Sequence, residues 1–117
     1  VRDGHWPGSP AGRIAGAFFE AYARGDDQAM ESFEQTFRAE KALKDRPVAE
    51  RVQSWRKLHV EWGSLKAHKY LEAAPTELHV LVRAEGEGVW KSFRFELEQA
   101  PPHRLLGISI ASPVAGK

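Results

Sequence analysis

The side chains best suited to chemistry are a tyrosine and a histidine on the apolar faces of two predicted helices. Tyr22 lies on the stripe of the first helix, and His59 lies between Trp55 and Trp62 on the stripe of the third. A phenol and an imidazole within reach of one substrate can transfer protons. We favour a hydrogen-bonded packing role for His59, as is common for partly buried histidines, and a ligand contact is the alternative. The sequence leaves both interpretations open.

Two short motifs are similar to those of serine nucleophiles, and both lack the partners that this chemistry needs. Ser54 and Lys57 match the S-x-x-K of serine β-lactamases, but the S-D-N and K-T-G elements do not occur. Ser109 lies in a loose form of G-x-S-x-G, which requires a turn from a strand into a helix, and only a tail with Pro and Gly follows. We interpret Ser54 as a chance match on an exposed helix face and Ser109 as a strand residue.

The carboxylates and histidines do not follow a metal-binding pattern. Asp26 and Asp27 stand at a predicted helix start, where we expect capping rather than acid–base catalysis. The five histidines include no i, i+4 pair and no H-E-x-x-H, although His68 and His79 would approach each other if adjacent strands aligned them. We predict no metal and no cofactor, and the lack of cysteine excludes a thiol nucleophile.

The aromatic residues form either the core between helices and sheet or the lining of a cleft. Apolar pockets with a few polar groups bind small molecules or peptides. In the cleft interpretation, one wall comes from the first helix and the other from the third helix and the sheet. The predicted lining consists of Phe18, Tyr22, Trp55, His59, Trp62, Phe93 and Phe95.

The composition indicates a folded domain without a strong preference for charged partners. Hydrophobic residues make up 42% and charged residues 28% of the chain, and the net charge of +1 provides no field that would attract nucleic acid. A local basic patch around Arg51, Arg56 and Lys57 remains an alternative. No apolar run reaches the ~20 residues that span a bilayer. Because the sequence begins with Val, we expect an upstream segment, and a cleaved export signal is one explanation.

The N-terminal residues 1–12 are predicted to be a flexible leader or linker that is rich in Gly and Pro. Trp6 is expected to be mobile with it, and packing back onto the domain is the alternative. Ser9 and Pro10 suit the N-cap and first turn of the first helix. The domain is predicted to span residues 13–112, and residues 113–117 are predicted to be a tail.

Three amphipathic helices are predicted before the sheet. The first two meet at Gly25 in a helical hairpin that runs to about Arg38. Residues 39–46 are predicted to be a loop or a frayed extension of the second helix. The third helix is predicted to open at Pro47 and to end at Gly63.

From Leu65 onward the apolar residues alternate, which predicts about four strands. Short connections make these strands antiparallel, and the expected fold is α+β, with three N-terminal helices packed on a curved sheet. We predict that strand positions 78, 80, 82, 84, 93, 95, 97, 106, 108 and 110 face the helices, and none of them is a carboxylate. Tyr70, Leu81 and Trp90 are predicted to share the other face, which suits a homodimer.

The stretch from Phe18 to Phe33, F-F-x-A-Y-x-x-G-D-x-x-A-M-x-x-F, resembles the opening of nuclear-transport-factor-like domains of the cystatin-like cone type. That superfamily includes ketosteroid isomerase, scytalone dehydratase and the SnoaL-type cyclases, and the resemblance implies a cone-shaped sheet. A narrower resemblance covers residues 12–111 and rests on Gly12-Arg13, Gly25-Asp26, Gly63-Ser64-Leu65 and Leu106-Gly107-Ile108. It is to a domain found beside bacterial serine hydrolases and tail-specific peptidases, which implies a hydrolase domain as partner and export from the cytoplasm.

The isomerase chemistry of that superfamily does not carry over, because Tyr22 has no matching carboxylate on the inward strand positions. We therefore predict a non-catalytic accessory or binding domain whose cleft takes a small apolar ligand, a peptide or a partner domain. The alternative is a small-molecule isomerase, dehydratase or hydrolase that uses Tyr22 and His59. Nucleic acid is not an expected partner.

Overall fold

A computed structural model describes residues 6–111, in which helices cover one face of a four-stranded antiparallel sheet. The α+β fold class predicted from the sequence is confirmed. The elements are α1 (Pro10–Arg24), α2 (Asp27–Phe37), α3 (Glu40–Asp45), α4 (Val48–Trp62), β1 (Leu65–Ala74), β2 (Glu77–Ala84), β3 (Val89–Leu97) and β4 (Leu105–Ala111).

The first helix begins within the segment predicted to be a leader. The Ser9 hydroxyl accepts a hydrogen bond from the Gly12 N–H at 3.1 Å, and Pro10 occupies the first turn, so the predicted cap is confirmed. Trp6 packs on the domain, with its ring stacked on Phe19 at 5.2 Å between centroids, which agrees with the alternative given for this residue. Burial of its apolar ring holds this stretch against α1. Residues 1–5 of the predicted leader and the predicted tail 113–117 lie outside the described residues.

The hairpin between α1 and α2 forms as predicted. Gly25 has a φ of 74°, a left-handed conformation that glycine adopts without steric cost, and its N–H bonds to the carbonyl of Tyr22. One Asp26 carboxylate oxygen accepts the Ala29 N–H at 2.7 Å and caps α2. Asp26 is therefore a capping residue.

A short helix, α3, occupies the segment predicted to be a loop or frayed extension. Its start is held by the fully buried Ala39, whose N–H bonds to the carbonyl of Leu105 on β4 at 2.8 Å. This long-range bond interrupts the helical path after α2, and a new helix starts at Glu40. The described residues therefore contain four helices where three were predicted.

The sheet has the order β1-β2-β3-β4. Alternate residues of β2 and β3 are buried against the helices, as predicted, and these are Leu78, Val80, Val82, Ala84, Phe93, Phe95 and Leu97. Register shifts in β1 between Ala67 and Lys69 and between Tyr70 and Glu72 change which face its later residues occupy. Tyr70 therefore lies opposite the buried Val80, on the helix-covered face.

Register shifts in β1 and in the β3–β4 pair correct two predictions made from strand alternation. Tyr70 does not share a face with Leu81 and Trp90, so the predicted homodimer surface is not one continuous patch. Leu106 was predicted to face the helices. A register shift between Glu96 and Leu97 instead pairs Leu97 with Leu105, which is fully buried, and Leu106 is 38% exposed. A bulge adds one residue to a strand and so reverses the side on which the following side chains point, until a second bulge restores it.

Candidate functional site

The predicted aromatic lining separates into a group within the packed core and a group that lines a depression between helices. Phe18, Phe93 and Phe95 are 0% exposed, and the ring of Phe18 contacts the other two at 6.0 and 5.7 Å between centroids. Trp62 is 6% exposed and contacts Phe93 at 6.0 Å. These four side chains belong to the hydrophobic core between the helices and the sheet.

The other three residues of the predicted lining meet in a depression between α1, α2 and α4, which we call the helical groove. It has a volume of about 110 Å³ and is lined by Ala21, Tyr22, Gly25, Asp26, Asp27, Met30, Val52, Trp55, Arg56, His59 and Val60. The rings of Tyr22 and His59 stack with centroids 4.6 Å apart. The groove is well below the ~300 Å³ at which small-molecule pockets begin, so it fits one side chain or a fragment.

The hydroxyl of Tyr22 is committed to the backbone. It donates a 2.7 Å hydrogen bond to the carbonyl of Gly63, and burial raises the pKa of Tyr22 to about 12. A general acid or base works best with a pKa near the operating pH. Tyr22 is therefore poorly placed to exchange a proton near neutrality, although its ring touches His59.

At the edge of the groove, Asp27 forms an ion pair with Arg56. Both side chains are about half exposed, at 49% and 58%, so the pair contributes little stability. It orients the two charges across the groove and gives Asp27 a partner. Of the two aspartates for which capping was predicted, Asp26 caps α2, whereas Asp27 lies in the first turn and pairs with Arg56.

A second cavity lies between α4 and β4, and we call it the arginine pocket. Its volume is about 290 Å³, and its lining consists of Arg38, Arg46, Arg51, Ser54, Trp55, Leu58, Gly107, Ile108 and Ile110. Its apolar lining residues are half-buried members of α4 and β4, and its charged lining residues are the three arginines. Two larger depressions, of about 500 and 670 Å³, are lined mainly by exposed side chains of α1, α2 and α3.

Beneath the arginine pocket lies a buried ion pair. The carboxylate of Glu34, 0% exposed, accepts hydrogen bonds from Nε and Nη2 of Arg38 at 2.7 and 2.9 Å, and Arg38 is 2% exposed. The indole N–H of Trp55 donates to the same carboxylate at 2.9 Å. Both oxygens of Glu34 are therefore occupied. The pair satisfies the requirement that a buried charge be both paired and hydrogen-bonded.

The remaining two guanidinium groups are held by neutral acceptors. Arg51 donates from Nε to the carbonyl of Arg46 at 2.8 Å and from Nη2 to that of Ala42 at 2.7 Å, and Arg46 donates to the hydroxyl of Ser54. Within residues 6–111, neither Arg46 nor Arg51 has a carboxylate at ion-pair distance. Burial, followed by the nearby charge of Arg38, lowers the pKa of Arg51.

The serine and histidine motifs do not assemble into sites. Ser54 accepts from Arg46, while Lys57 is exposed on α4. Ser109 lies within β4 rather than at a strand-to-helix turn. His79 pairs with Glu72, and the ring of His68 contacts Trp90 at 4.7 Å, so cross-strand pairing does not join the two histidines. Across the described part of the chain, no group of three or more His, Asp or Glu residues is arranged to hold a metal ion.

Sequence reasoning missed Glu34 and Arg38, although a signal for them exists. Glu34 stands four residues after Met30, on the apolar stripe of α2, and Arg38 follows four residues later. An acidic residue on a buried stripe, with a basic residue at i+4, predicts a buried pair. The predicted basic patch is also divided, because Arg51 lines the arginine pocket whereas Arg56 turns to Asp27 on the other side of α4.

Comparison of the chain with protein-family models, with curated proteins and with solved structures gives no match. From Trp6 to Ala111, no helix is both long enough and apolar enough to cross a bilayer.

Proposed function

We propose that this chain is a non-catalytic binding domain that takes a small ligand in the arginine pocket. The observation that carries the proposal is the cavity itself, which joins an apolar floor to a polar wall. Leu58, Ile108 and Ile110 supply the floor, and Trp55 is the member of the predicted aromatic lining that reaches it. Small-molecule sites combine apolar surface with a few placed polar groups, and the volume of about 290 Å³ suits a compact ligand.

The chemistry of the lining favours binding over catalysis. An arginine stays protonated in proteins and cannot act as a general base. The one carboxylate below the pocket, that of Glu34, has both oxygens engaged by Arg38 and Trp55. The rival hypothesis, an isomerase, dehydratase or hydrolase, relies on Tyr22 and His59 in the helical groove. There the Tyr22 hydroxyl already donates to Gly63, so we rank the enzyme second.

A nuclear magnetic resonance screen of small neutral, anionic and cationic fragments tests the binding function. We expect binding fragments to shift the methyl signals of Ile108 and Ile110 and the indole N–H signal of Trp55. The methyl signals of Val60, which is 83% exposed in the helical groove, serve as the internal control. A broad library in which no fragment moves these pocket signals in the folded protein would refute the proposal. Shifts confined to Val60 would place the ligand in the groove instead.

The accessory role beside a serine hydrolase stays a prediction from resemblance. The sequence of the full-length gene tests it directly, because an adjoining hydrolase domain would supply the partner. A gene that encodes this domain with no hydrolase on the same chain would count against it. The homodimer hypothesis also stays a prediction, and analytical ultracentrifugation over a wide concentration range tests it.

A further inference from the structure

The three guanidinium groups of the arginine pocket have unused hydrogen-bonding capacity. Arg38 engages Glu34 with Nε and Nη2, Arg51 uses Nε and Nη2 on backbone carbonyls, and Arg46 uses Nη2 on Ser54. In each case Nη1 makes no hydrogen bond to any residue that the structure describes. A guanidinium carries five N–H donors, so each of these side chains retains donors for a further acceptor.

Arg38 lines the cavity and has a side-chain nitrogen that bonds to no described residue. Arg38 is only 2% exposed, yet among residues 6–111 no buried side-chain nitrogen or oxygen lacks a hydrogen-bond partner. Its unbonded Nη1 must therefore be accessible, and Arg38 is part of the lining of the arginine pocket. Fixed donors on a buried side chain lose little conformational freedom when they bind an acceptor, which favours recognition.

The pocket also carries an excess of positive charge. Glu34 balances Arg38, but Arg46 and Arg51 have no carboxylate partner in the described range. Burial is the main cause of the lowered pKa of Arg51; the charges of Arg38 and Arg46 lower it further, while Glu34 and Asp45 act in the opposite direction. An anion between the arginines would reduce the repulsion between their charges, whereas a cation would add to it.

We propose that the ligand of the arginine pocket is a small amphiphilic acid. Its oxyanion head group, a carboxylate or a phosphate monoester, would lie against Arg38, Arg46 and Arg51, and its apolar body against Leu58, Ile108 and Ile110. This inference rests on the proposed binding function and specifies the ligand class. Arginine forks match the geometry of both head groups, and charge-assisted hydrogen bonds are about twice as strong as neutral ones.

The test compares four probes that share one apolar chain and differ in the head group, namely octanoate, octyl phosphate, 1-octanol and octylammonium. Binding is followed by the Trp55 indole signal and the Ile108 and Ile110 methyl signals of the unmodified protein. We expect at least one acid to bind ten-fold or more tightly than octanol, and octylammonium more weakly than octanol. The tighter of the two acids identifies the head group. Added salt should weaken the acids and leave octanol unchanged.

A pair of variants on matched arginines locates the head group. Arg46→Gln removes an exposed pocket arginine, and we expect a loss of about ten-fold in acid affinity with no change for octanol. Arg56→Gln removes the same charge from α4 on the groove side and should leave both affinities unchanged. Thermal unfolding confirms that both variants are folded.

The possible failures can be told apart. If octanol and the acids shift the pocket signals with equal affinity, the domain binds ligands but the acid inference is wrong. Equal losses of acid affinity in Arg46→Gln and Arg56→Gln would also overturn it, because acid binding would then depend on the net charge of the protein and not on a pocket arginine. If no probe or fragment moves the pocket signals, the binding function itself is refuted.

Discussion

Arg38 and Glu34 form a two-point ion pair in the interior of the protein, one helical turn apart, with N–O distances of 2.7 and 2.9 Å. Neither side chain exceeds 2% exposure. Arg38 lines the arginine pocket, and the backbone N–H of the next residue, Ala39, bonds to the carbonyl of Leu105 on β4. One ion pair thus connects the end of α2, the sheet and the candidate ligand site.

The substitution Glu34→Gln should destabilise the folded protein, because it leaves the buried charge of Arg38 without a counter-ion. We expect a loss of about 3–5 kcal/mol in the free energy of unfolding, the usual result of breaking a buried pair from one side. Urea denaturation provides the measurement. Glu31→Gln, at an exposed position on the same helix, is the matched control and should change stability by less than about 0.5 kcal/mol. Equal effects of the two substitutions would contradict the buried-pair interpretation.

Stability should fall in alkaline solution through Tyr22. Its pKa is about 12 in the folded protein against 10.0 in the unfolded chain, so the folded state holds the phenol proton more strongly. Its contribution is complete below pH 10 and is lost as the pH rises from 10 toward 12. After discounting for solvent screening, we expect a loss of about 1–2 kcal/mol.

Tyr22→Phe should make the stability less dependent on pH across that range, as measured by denaturation at several pH values. Tyr70→Phe is the control. Burial also raises the pKa of Tyr70, but this variant keeps Tyr22 and should therefore keep the pH dependence that Tyr22 causes. The phenolate absorbance of the Tyr70→Phe variant reports Tyr22 alone, since the chain has two tyrosines. Titration of Tyr22 at its ordinary pKa would contradict the prediction.

Gly63→Ala should be strongly destabilising. Gly63 has φ 69° and ψ −146°, a conformation restricted almost entirely to glycine, and an added Cβ would lie 2.9 Å from the backbone of Gly86. We expect a loss of about 2–4 kcal/mol, since strained backbone alone costs about 1–3 kcal/mol. Gly107→Ala, where no atom lies within 4 Å of the new Cβ, should be nearly neutral in thermal unfolding. A similar loss at both positions would exclude local strain as the cause.

Trp6→Ala should lower stability although Trp6 precedes the first helix. Its ring stacks on Phe19 with an interplanar angle of 9° and also contacts Tyr70 at 6.0 Å. Losing the half-buried ring and its aromatic contacts should cost about 1–2 kcal/mol. Trp6→Phe preserves a stacking partner and should recover most of that loss. If Trp6→Ala leaves the denaturation midpoint unchanged, the packing of this segment contributes nothing to stability.

The sequence by itself determined the parts of this protein that depend on near neighbours. Ser9 and Asp26 cap their helices because each side chain reaches a backbone N–H three residues away. Gly25 ends α1, and uninterrupted alternation identified the buried faces of β2 and β3. These features depend on the chain within one turn or one strand, so local pattern is sufficient to predict them.

Only the tertiary structure decided which side of the sheet Tyr70 and Leu105 occupy, because bulges depend on the partner strand and reverse the alternation. It also decided that Phe18, Phe93 and Phe95 pack together as core, since close packing between helices and sheet is set by distant contacts. The arginine pocket combines residues from α4 and β4 with Arg38, which follows α2, and Arg46, which follows α3. Its net charge arises from which arginines find carboxylates, and that pairing exists only in the folded chain.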